Sequence, residues 1–362
     1  MSFEISRPFE TRVPLASLTT LEIGGPVRYL ARCRAGAELG ELLDWVRKGR
    51  LEVFILGGGS NVLVADAGFN GLAIQLEDDS IELEARGEHA LVRAGAGGGW
   101  DALVERAVAE GLGGLECLSG IPGRVGAAPM QNVGAYGQEV AETICEVEAV
   151  DRETGEAHRF AGGRCGFGYR TSHFKEAWRD RYVITEVAFL LPRRDTGTVR
   201  HPDLKRLLGV VEGGPEPRLA EVREAVLEVR RDKSMVLDPG DENRRSAGSF
   251  FTNPVVGPET ASRIRRRASR QMPAYPAVGG RFKLSAAWLI EEAGFERGYA
   301  QGRVAISSRH ALALVNSGGA TAAEMVALAS KIRRGVRDAF GVTLEPEPVF
   351  LGFEQDVDTL LG

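Results

Sequence analysis

Short apolar runs separated by glycine clusters characterise the N-terminal part of the chain. Residues 53–64, VFILGGGSNVLV, place one such run on each side of three glycines, and glycine is typical of tight backbone turns. Residues 81–97 read as a strand, a turn and a second strand, whereas the apolar spacing of residues 100–111 is that of an amphipathic helix. This mixture predicts an α+β fold for the first half of the chain.

The pattern continues with further strands and then changes to helices. Residues 146–151 and 156–160 predict a hairpin, and residues 182–191 predict a buried strand. The stretch 194–217 mixes charges with glycine and proline, which predicts a long loop or insertion. A helix follows it, with an apolar face formed by Leu219, Val222, Val226 and Val229.

The C-terminal part predicts helices near 258–271 and 285–293, a strand at 310–316 and a long helix from Thr321. Thr321 and Glu324 have the spacing of a capping box, in which each side chain accepts a hydrogen bond from the other residue's backbone N–H. The long helix then continues with an apolar stripe formed by Met325, Leu328, Ile332 and Val336.

Length and charge narrow the class of protein. The chain has 362 residues, of which 43% are hydrophobic, enough to bury a core in each of two or three domains. A formal net charge of -5 argues against a nucleic-acid-binding surface, which normally has a basic excess, but is compatible with a small anionic ligand. No apolar run reaches the roughly 18 residues of a membrane-spanning helix, and the start, MSFEISRPFE, lacks a signal-peptide pattern. We therefore expect a cytoplasmic protein without membrane insertion.

The cysteines give no sign of a metal centre or a disulfide framework. They show neither CxxC spacing nor nearby histidines in a zinc-binding pattern. We expect reduced, mostly buried thiols and no metal site. The cysteines are Cys33, Cys117, Cys145 and Cys165.

Two glycine clusters resemble nucleotide-binding loops without matching a common fingerprint. GAGGGW, residues 95–100, ends in tryptophan where the Rossmann fingerprint needs glycine, and the chain contains no P-loop sequence. In residues 57–62, the first glycine segment, consecutive backbone N–H groups can turn toward a pyrophosphate, and Ser60 and Asn61 add side-chain donors. An ordinary glycine hairpin is the alternative interpretation of this segment.

A second glycine segment, residues 119–137, reads SGIPGRVGAAPMQNVGAYG. It is long, nearly free of charge and rich in glycine and alanine, whereas exposed loops are normally polar. This composition favours backbone packed against a flat ligand. A buried glycine-rich crossover is the alternative.

Six ordered motifs resemble the UDP-N-acetylenolpyruvoylglucosamine reductase family: GGGSNVLV, GIPGRVGAAPMQNVGAYG, FGYRTSHFK, AGSFFTNP, KLSAAWLIEEAG and LEPEPVFLG. The likeness extends from about residue 15 to about residue 352. Members of that family are flavoenzymes that make UDP-N-acetylmuramate for bacterial cell walls. The resemblance implies an α+β fold in which FAD lies between two subdomains of the vanillyl-alcohol-oxidase (PCMH) type and a C-terminal α+β substrate domain closes over the substrate. Neither glycine segment contains histidine, in agreement with the noncovalent FAD of that family.

The resemblance also implies a division of the chain and a set of FAD contacts. Residues 1–75 are expected to form the first FAD-binding subdomain, 76–235 the second, and 236–347 the substrate-binding domain. The last residues, 348–362, are a candidate for returning to the second subdomain. The implied FAD contacts are Gly57, Gly58, Gly59, Ser60, Asn61, Val62, Ser119, Gly120, Ile121, Pro122, Gly123, Gly126, Gln131, Asn132, Gly134, Ala135, Tyr136 and Gly137.

Reducing an enol ether conjugated to a carboxylate requires hydride addition to one carbon, stabilisation of the enolate, and protonation of the neighbouring carbon. The flavin supplies the hydride. A serine suits the protonation because it is small and does not lose its proton beforehand. Ser249 is therefore the candidate general acid, with Ala247, Gly248, Phe250 and Phe251 to exclude water. Without the resemblance, a turn or helix-cap residue is the favoured interpretation of Ser249.

The resemblance places Arg170 of FGYR and Glu347 of LEPE beside the enolate. A guanidinium can pair with a carboxylate or a developing enolate, and a glutamate in this position acts best when it is protonated. In a chain with 45 lysines and arginines, an arbitrary arginine is more often a surface residue. The motif match reverses that expectation for Arg170.

The resemblance further implies a set of UDP-sugar contacts, with NADPH reducing the FAD in the same cleft before the substrate enters. Lysine and arginine suit a diphosphate, and tyrosine can stack on uracil. His201 in RHPDL departs from the family, whose loop usually has tyrosine in TYGDL or YPDL. Histidine can still stack, but it titrates near neutral pH, which leaves the contact and its pH dependence open here. The implied contacts are Tyr169, His201, Arg230, Lys233, Asn253, Tyr275 and Lys283.

Two other functions compete with the reductase. A sugar or alcohol oxidase of the wider flavoprotein superfamily would keep the flavin fold, but AGSFFTNP and LEPEP argue against it. A catalytically silent nucleotide-sugar-binding protein would lack one of Arg170, Ser249 and Glu347, and all three are present. A monomer is the working expectation for the oligomeric state.

Overall fold

A computed structural model describes residues 9–362 of the chain. Residues 1–8 of the N-terminal sequence considered for a targeting signal lie outside the described residues. The strands up to residue 192 are β1 (Glu10–Pro14), β2 (Pro26–Cys33), β3 (Val53–Ile55), β4 (Val62–Val64), β5 (Phe69–Leu76), β6 (Ile81–Arg86), β7 (His89–Gly95), β8 (Gly134–Ala135), β9 (Gln138–Glu139), β10 (Ile144–Asp151), β11 (Ala157–Ala161) and β12 (Tyr182–Pro192). The helices up to residue 232 are α1 (Ala37–Gly49), α2 (Trp100–Ala109), α3 (Pro202–Leu207) and α4 (Leu219–Asp232).

The C-terminal third of the chain alternates short strands with helices. Its strands are β13 (Ser246–Ser249), β14 (Val255–Val256), β15 (Ala274–Ala277), β16 (Arg281–Leu284), β17 (Ala300–Gln301), β18 (Val304–Ile306), β19 (Ala313–Asn316) and β20 (Val349–Leu351). Its helices are α5 (Pro258–Arg267), α6 (Ala286–Glu292), α7 (Ala322–Phe340) and α8 (Val357–Leu361).

The chain divides into two compact units, each assembled from separate stretches of sequence. The first unit contains residues 9–13, 28–58 and 70–236. The second unit contains residues 14–27, 59–69 and 237–362. The predicted division after residue 75 has no counterpart in this grouping. The second unit instead takes up two N-terminal stretches that the sequence alone assigned to the first FAD-binding subdomain.

An antiparallel sheet of order β11-β10-β12-β7-β6 forms one part of the first unit. Helix α2 buries Trp100, Leu103, Val104 and Ala107, which share one face at helical spacing and join the core of this sheet. The loop between β7 and α2 also holds the second glycine segment. Gly126 N donates to Ala96 O at 3.0 Å. The segment is therefore attached to the backbone of this sheet.

A smaller sheet of order β1-β2-β5-β3 forms the other part of the first unit, and β3 runs parallel to β5. Helix α1 buries its apolar face in the same core through Leu39, Leu42, Leu43 and Val46. Strand β3 ends at Ile55, two residues before the first glycine of the first glycine segment. This sheet thereby positions the start of that segment.

The second unit is built around a sheet of order β13-β19-β18-β17, whose apolar residues share one core with helices α5, α6 and α7. The predicted capping box at the start of α7 is confirmed, since Glu324 N donates to Thr321 Oγ1 at 3.1 Å and Thr321 N donates to Glu324 Oε2 at 2.8 Å. Asp66, from the stretch 59–69, caps the same helix by accepting hydrogen bonds from Ala322 N at 2.7 Å and Ala323 N at 3.0 Å. The N-terminal stretch is thus part of the fold of this unit.

The C-terminal residues 348–362, expected as a candidate for returning to the second FAD-binding subdomain, are grouped with the second unit. Strand β20 pairs in parallel with β4 of the same unit. Leu361 of α8 is fully buried in the core that contains α7. Apolar burial therefore keeps the chain end beside α7.

Most of the strand and helix predictions are confirmed, with differences at their ends. The hairpins β6–β7 and β10–β11 form antiparallel pairs where the apolar pattern places them. The stretch 194–217 is not all loop, because α3 begins there with Pro202 in its first turn and the His201 side chain as its N-cap. Helix α5 ends at Arg267 because Ala268 adopts an extended backbone.

Candidate active site

The first glycine segment requires glycine at two positions. A Cβ atom on Gly58 would lie 3.0 Å from Gly123 Cα, so the two glycine segments touch through bare backbone within the first unit. At Gly59, φ is +64° and a Cβ atom would lie 2.0 Å from Leu18 O. The hairpin alternative is wrong, because the flanking strands β3 and β4 pair with β5 and β20 rather than with each other.

The second glycine segment has an unusual backbone conformation. Asn132 and Tyr136 adopt φ values of +46° and +51°, and Gly120, Gly123 and Gly137 also have positive φ. The left-handed region disfavours a residue that carries a Cβ atom by roughly 1–2 kcal/mol. Strain of this kind is concentrated at functional sites, where the surrounding structure enforces it.

The buried side chain of Asn132 stabilises the second glycine segment by hydrogen bonds. Its side chain is 1% exposed, and Nδ2 donates to Glu139 Oε2 at 2.7 Å and to Gly168 O at 3.0 Å. Its Oδ1 accepts a hydrogen bond from Ala141 N at 3.0 Å. Both amide hydrogens of Asn132 are therefore used within the protein, which leaves the backbone as the means by which this predicted FAD residue could contact a cofactor.

A cavity of about 160 Å³ lies within the first unit, against the second glycine segment. Its walls are mostly apolar side chains such as Phe54, Leu76 and Val183. Gly57 and Gly126, from the two glycine segments, give it bare backbone at two points. A Cβ atom on Gly126 would lie 2.6 Å from Ala96 Cβ. Apolar walls beside bare backbone suit a flat aromatic ring whose edge groups accept backbone hydrogen bonds, and a flavin is such a ring.

The remaining predicted FAD residues take positions along these segments. Val62 is buried at the start of β4, and Ser119 is fully buried with its hydroxyl donating to Glu116 O at 2.7 Å. Gly134 and Ala135 form β8, which pairs with β9. The predicted contacts of these residues with FAD stay predictions.

Arg170 lies in a tight turn with left-handed backbone, at φ +57°. Gly168 and Thr171 close this turn by exchanging backbone hydrogen bonds of 3.0 and 3.3 Å. A Cβ atom on Gly134 would lie 3.5 Å from Arg170 Nη1. The structure therefore brings the guanidinium of Arg170 beside the second glycine segment, while the neighbouring Tyr169 ring lies 5.7 Å from the Arg170 Cζ atom.

Ser249 and Glu347 are brought together within the second unit. Ser249 is the last residue of β13 and pairs with Ala313, so it is neither a turn nor a helix cap. Glu347 N donates to the carbonyl of the next residue, Phe250, at 2.9 Å. Asn61 of the first glycine segment joins this group, because its Nδ2 donates to Glu347 O at 3.2 Å. Among the described residues, the Ser249 hydroxyl has no hydrogen-bond partner.

The apolar neighbours of Ser249 are buried, while their predicted exclusion of water from its hydroxyl stays a prediction. Phe250 and Phe251 are both fully buried in the core of the second unit, with ring centroids 5.2 Å apart. Ala247 is also buried, and Gly248 adopts φ +68°. Ser249 itself is half-buried and therefore lies outside this core.

Four of the predicted residues form one cluster in the first unit. The rings of Tyr136 and His201 are 5.2 Å apart, edge to face, and Lys233 Nζ lies 5.7 Å from the Tyr136 ring centroid. Lys233 Nζ also lies 3.8 Å from Asp203 Oδ2. Burial raises the pKa of Tyr136 and lowers that of the nearby Arg230. Tyr136, predicted as an FAD contact, thus lies with three residues predicted to bind the UDP-sugar.

His201 is held mostly neutral by its surroundings. Burial is the largest effect on its pKa and lowers it below the ordinary value; Lys233 lowers it further, and Asp203 opposes this. Its Nδ1 accepts a hydrogen bond from Asp203 N at 3.3 Å, which also requires the unprotonated atom. Both effects favour the neutral form of the His201 side chain.

We expect His201 to reduce stability as the pH falls below about 6.5, its ordinary pKa. Below that pH the unfolded chain binds a proton at His201 that the folded chain resists, so protonation favours unfolding. His201→Gln should therefore melt closer to, or above, the wild type at pH 5.5 than at pH 8.0. Melting temperatures at the two pH values check this, and an identical pH dependence of the two proteins would contradict it.

The other predicted UDP-sugar residues lie in the second unit. Tyr275 and Lys283 are opposite each other in the β15–β16 pair, and the Tyr275 side chain is exposed. Asn253 Oδ1 accepts a hydrogen bond from Ala286 N at 2.9 Å at the start of α6. Asn253 thus stabilises a helix start, and its predicted substrate contact stays a prediction.

Sequence reasoning missed Arg124 and Asp101. Arg124 lines the cavity, and its Nη1 donates to Leu76 O at 3.2 Å. It is the single charge in the second glycine segment, a signal that could have selected it. Asp101 accepts a hydrogen bond from Gly120 N at 2.6 Å. No motif marks Asp101, which reads as an ordinary first-turn helix residue.

The cysteines are all free, and burial raises the pKa of the Cys117 thiol to about 12 and that of Cys165 to about 11. Residues 9–362 contain no group of three or more His, Cys, Asp or Glu side chains arranged to hold a metal ion. Within the same residues, no helix is long and apolar enough to cross a membrane.

Two family models match the chain. Residues 238–351 match the C-terminal domain of UDP-N-acetylenolpyruvoylglucosamine reductase, and residues 27–161 match an FAD binding domain. The UDP-N-acetylenolpyruvoylglucosamine reductase of Thermobifida fusca is 48% identical over 355 residues, which is 95% of this chain and 98% of that protein. The one of Nocardia farcinica is 47% identical over 348 residues, covering 94% and 89%.

Among solved structures, the UDP-N-acetylenolpyruvylglucosamine reductase of Thermus caldophilus matches with a TM-score of 0.66 and 28% sequence identity, covering 95% of this chain and 99% of that one. This structure and the FAD-binding family model confirm the predicted α+β flavin fold with a C-terminal α+β domain. They also agree with FAD as the cofactor.

Proposed function

The chain belongs to the UDP-N-acetylenolpyruvoylglucosamine reductase family, and on this basis we propose that it reduces the enolpyruvyl ether of UDP-N-acetylglucosamine to UDP-N-acetylmuramate, with NADPH as the electron donor. The observation that carries this assignment is the pairing of residues 345–347 with 250–252, which puts the motifs LEPE and AGSFFTNP on adjacent backbones. The cytoplasmic location and the monomeric state stay predictions.

FAD, when bound, supplies the hydride chemistry that no side chain can provide. The chain's own residues would hold it through the two glycine segments, of which Gly57 and Gly126 line the cavity. Apolar residues lining the cavity would exclude water from the ring. Neither glycine segment itself contains histidine, which agrees with a noncovalent complex.

Ser249 would deliver the proton to the substrate carbon. Its hydroxyl has no competing hydrogen-bond partner among the described residues, and Phe250 and Phe251, which follow it in the chain, are fully buried. A serine in such surroundings keeps its proton until a strong base, the enolate carbon, is presented. Its attachment to a strand rather than a loop would limit its movement.

Arg170 and Glu347 would stabilise the enolate. The fixed charge of Arg170 can donate two parallel hydrogen bonds to a carboxylate that gains negative charge during the reaction. The turn around Arg170 is fixed by Asn132 and by Lys175 Nζ, which donates to Arg170 O at 3.0 Å. The main chain of Glu347 is fixed because its N–H donates to Phe250 O and its carbonyl accepts a hydrogen bond from Asn61 Nδ2.

The cluster of Tyr136, His201, Arg230 and Lys233 would receive the diphosphate of the nucleotide sugar. It combines two cations with two rings in a half-buried place, where a phosphate gains more from each charge than in open water. Within the second unit, Tyr275 and Lys283, on one face of the β15–β16 pair, are the proposed UDP-sugar contacts.

We expect the purified protein to be yellow, to lose its flavin absorbance with NADPH under anaerobic conditions, and to regain it when enolpyruvyl UDP-N-acetylglucosamine is added. Absorbance near 450 nm, a general property of oxidised flavins, follows each step. Recovery only after admission of oxygen would contradict the reductase and support the oxidase. No absorbance change with NADPH would contradict the assigned electron donor.

A further inference from the structure

The N-terminal turn of α2 holds the start of the second glycine segment at several points. Trp100 N donates to Gly123 O at 3.0 Å, and Trp100 Nε1 donates to Leu118 O at 3.0 Å. The next residue, Asp101, accepts a hydrogen bond at Oδ1 from Gly120 N at 2.6 Å. Two adjacent helix residues therefore fix the course of the segment where it enters the cavity region.

Arg223 of α4 holds the Asp101 carboxylate in place. Arg223 Nη1 donates to Asp101 Oδ1 at 2.7 Å, and Nη2 donates to Oδ2 at 2.9 Å, a bidentate pair. The Arg223 side chain is 10% exposed. Burial opposes the charge on Asp101, but hydrogen bonds from Arg223 and Gly120 outweigh it and keep the pKa of Asp101 below its ordinary value. Asp101 therefore stays a charged, oriented acceptor.

The backbone of Gly120 is fixed by Asp101 and by helix α4, and its N–H is not free to bind a ligand. Its φ is +69°, and a Cβ atom would lie 2.7 Å from Leu227 Cδ2, so its backbone packs directly on α4. The Gly120 N–H already donates to Asp101. Within the first unit, Gly120 is thus in contact with both helix α2 and helix α4.

We propose that Asp101, held by Arg223, is a positioning residue for FAD, which sets the backbone of residues 120–123 for cofactor binding. Asp101 is not among the described residues that line the cavity, so it acts through Gly120. The contact of Gly58 with Gly123 carries the effect to the first glycine segment. This inference rests on the flavin site proposed above.

The test measures FAD binding by the apoprotein of Asp101→Asn and Asp101→Ala. The asparagine variant is isosteric but faces Arg223 Nη2 with an amide group that cannot accept its hydrogen bond. We expect the FAD Kd to rise by about 10- to 100-fold, the effect of losing a charge-assisted hydrogen bond, with a changed visible circular dichroism of the bound flavin. Arg223→Lys, which keeps the charge but loses the fork, should shift both readouts in the same direction.

Glu105→Gln is the matched control. Glu105 lies 3.8 Å from Arg223 Nη2, but its side chain is 71% exposed, so we expect an unchanged Kd. Wild-type FAD affinity and circular dichroism in both Asp101→Asn and Arg223→Lys would overturn the proposal, as would an equal effect of Glu105→Gln. A wild-type protein that binds FAD but does not reduce the UDP-sugar would contradict the proposed function and leave this inference intact.

Discussion

Ser249→Ala should lower turnover by about 100- to 10,000-fold, the usual contribution of a positioned proton donor. The methyl group fits where the hydroxymethyl group was, but the substrate carbon loses its acid. Reduction by NADPH does not need this proton, so we expect only the half-reaction with the UDP-sugar to slow. Stopped-flow absorbance under anaerobic conditions separates the two half-reactions.

The control for Ser249 removes a different hydroxyl from the same segment. Thr252 Oγ1 donates to Glu345 O at 3.4 Å, a weak contact at the protein surface. Thr252→Val should therefore react at close to the wild-type rate. If Ser249→Ala kept full turnover with bound FAD, or if Thr252→Val slowed as much, Ser249 would not be the acid.

Arg170→Met should lower kcat by about 100- to 1,000-fold, the cost of losing one donor aimed at a developing oxyanion. Methionine keeps much of the side-chain volume but cannot stabilise negative charge. Arg170→Lys should recover part of the rate, because it returns the charge without the bidentate geometry. Steady-state kinetics with the UDP-sugar varied separates a loss in kcat from a change in KM.

Arg179→Met is the matched control for Arg170. Arg179 is mostly exposed, and its ion pair with Asp180 has a separation of 3.7 Å. Pairs of this kind contribute little to stability, so we expect wild-type kinetics. A rise in KM alone for Arg170→Met would show that Arg170 binds the substrate without stabilising the transition state.

Sequence patterns predicted the helices and strands that are specified by residues close together in the chain. The long helix α7 has a capping box and an uninterrupted apolar stripe, and both are found in the structure. Helix α3 was missed because its signal is a single proline in the first turn, inside a stretch rich in charge and glycine. A short helix has too few apolar positions to show a period.

The division of the chain was not readable from local pattern. Strand β4 belongs to the second unit because it pairs with β20, and Asp66 belongs there because it caps α7. Both contacts join residues hundreds of positions apart, while periodicity describes only neighbours. The ion pair between Arg223 and Asp101, which are 122 positions apart, could not be predicted for the same reason.

In the candidate site, family motifs selected the proposed catalytic residues, but the sequence did not show which binding residues lie together. The motifs around Arg170, Ser249 and Glu347 selected these residues through family resemblance, whereas the physical interpretation of Ser249 alone allowed a turn or a cap. Sequence separated Tyr136 from His201 and Lys233 by assumed ligand, but the fold places them in one cluster. Side-chain contacts between distant segments decide such groupings.

The interleaved composition of the second unit constrains how it can be made. Its sheet partner β4 and the cap residue Asp66 emerge from the ribosome early, whereas β20 and α8 emerge last. Residues 59–69 therefore lack their partners until residues 70–236, the longest stretch of the first unit, and the rest of the second unit have been synthesised. A fragment of residues 237–362 would lack β4 and the helix cap Asp66. It would therefore expose the apolar surface that residues 59–69 cover in the intact chain.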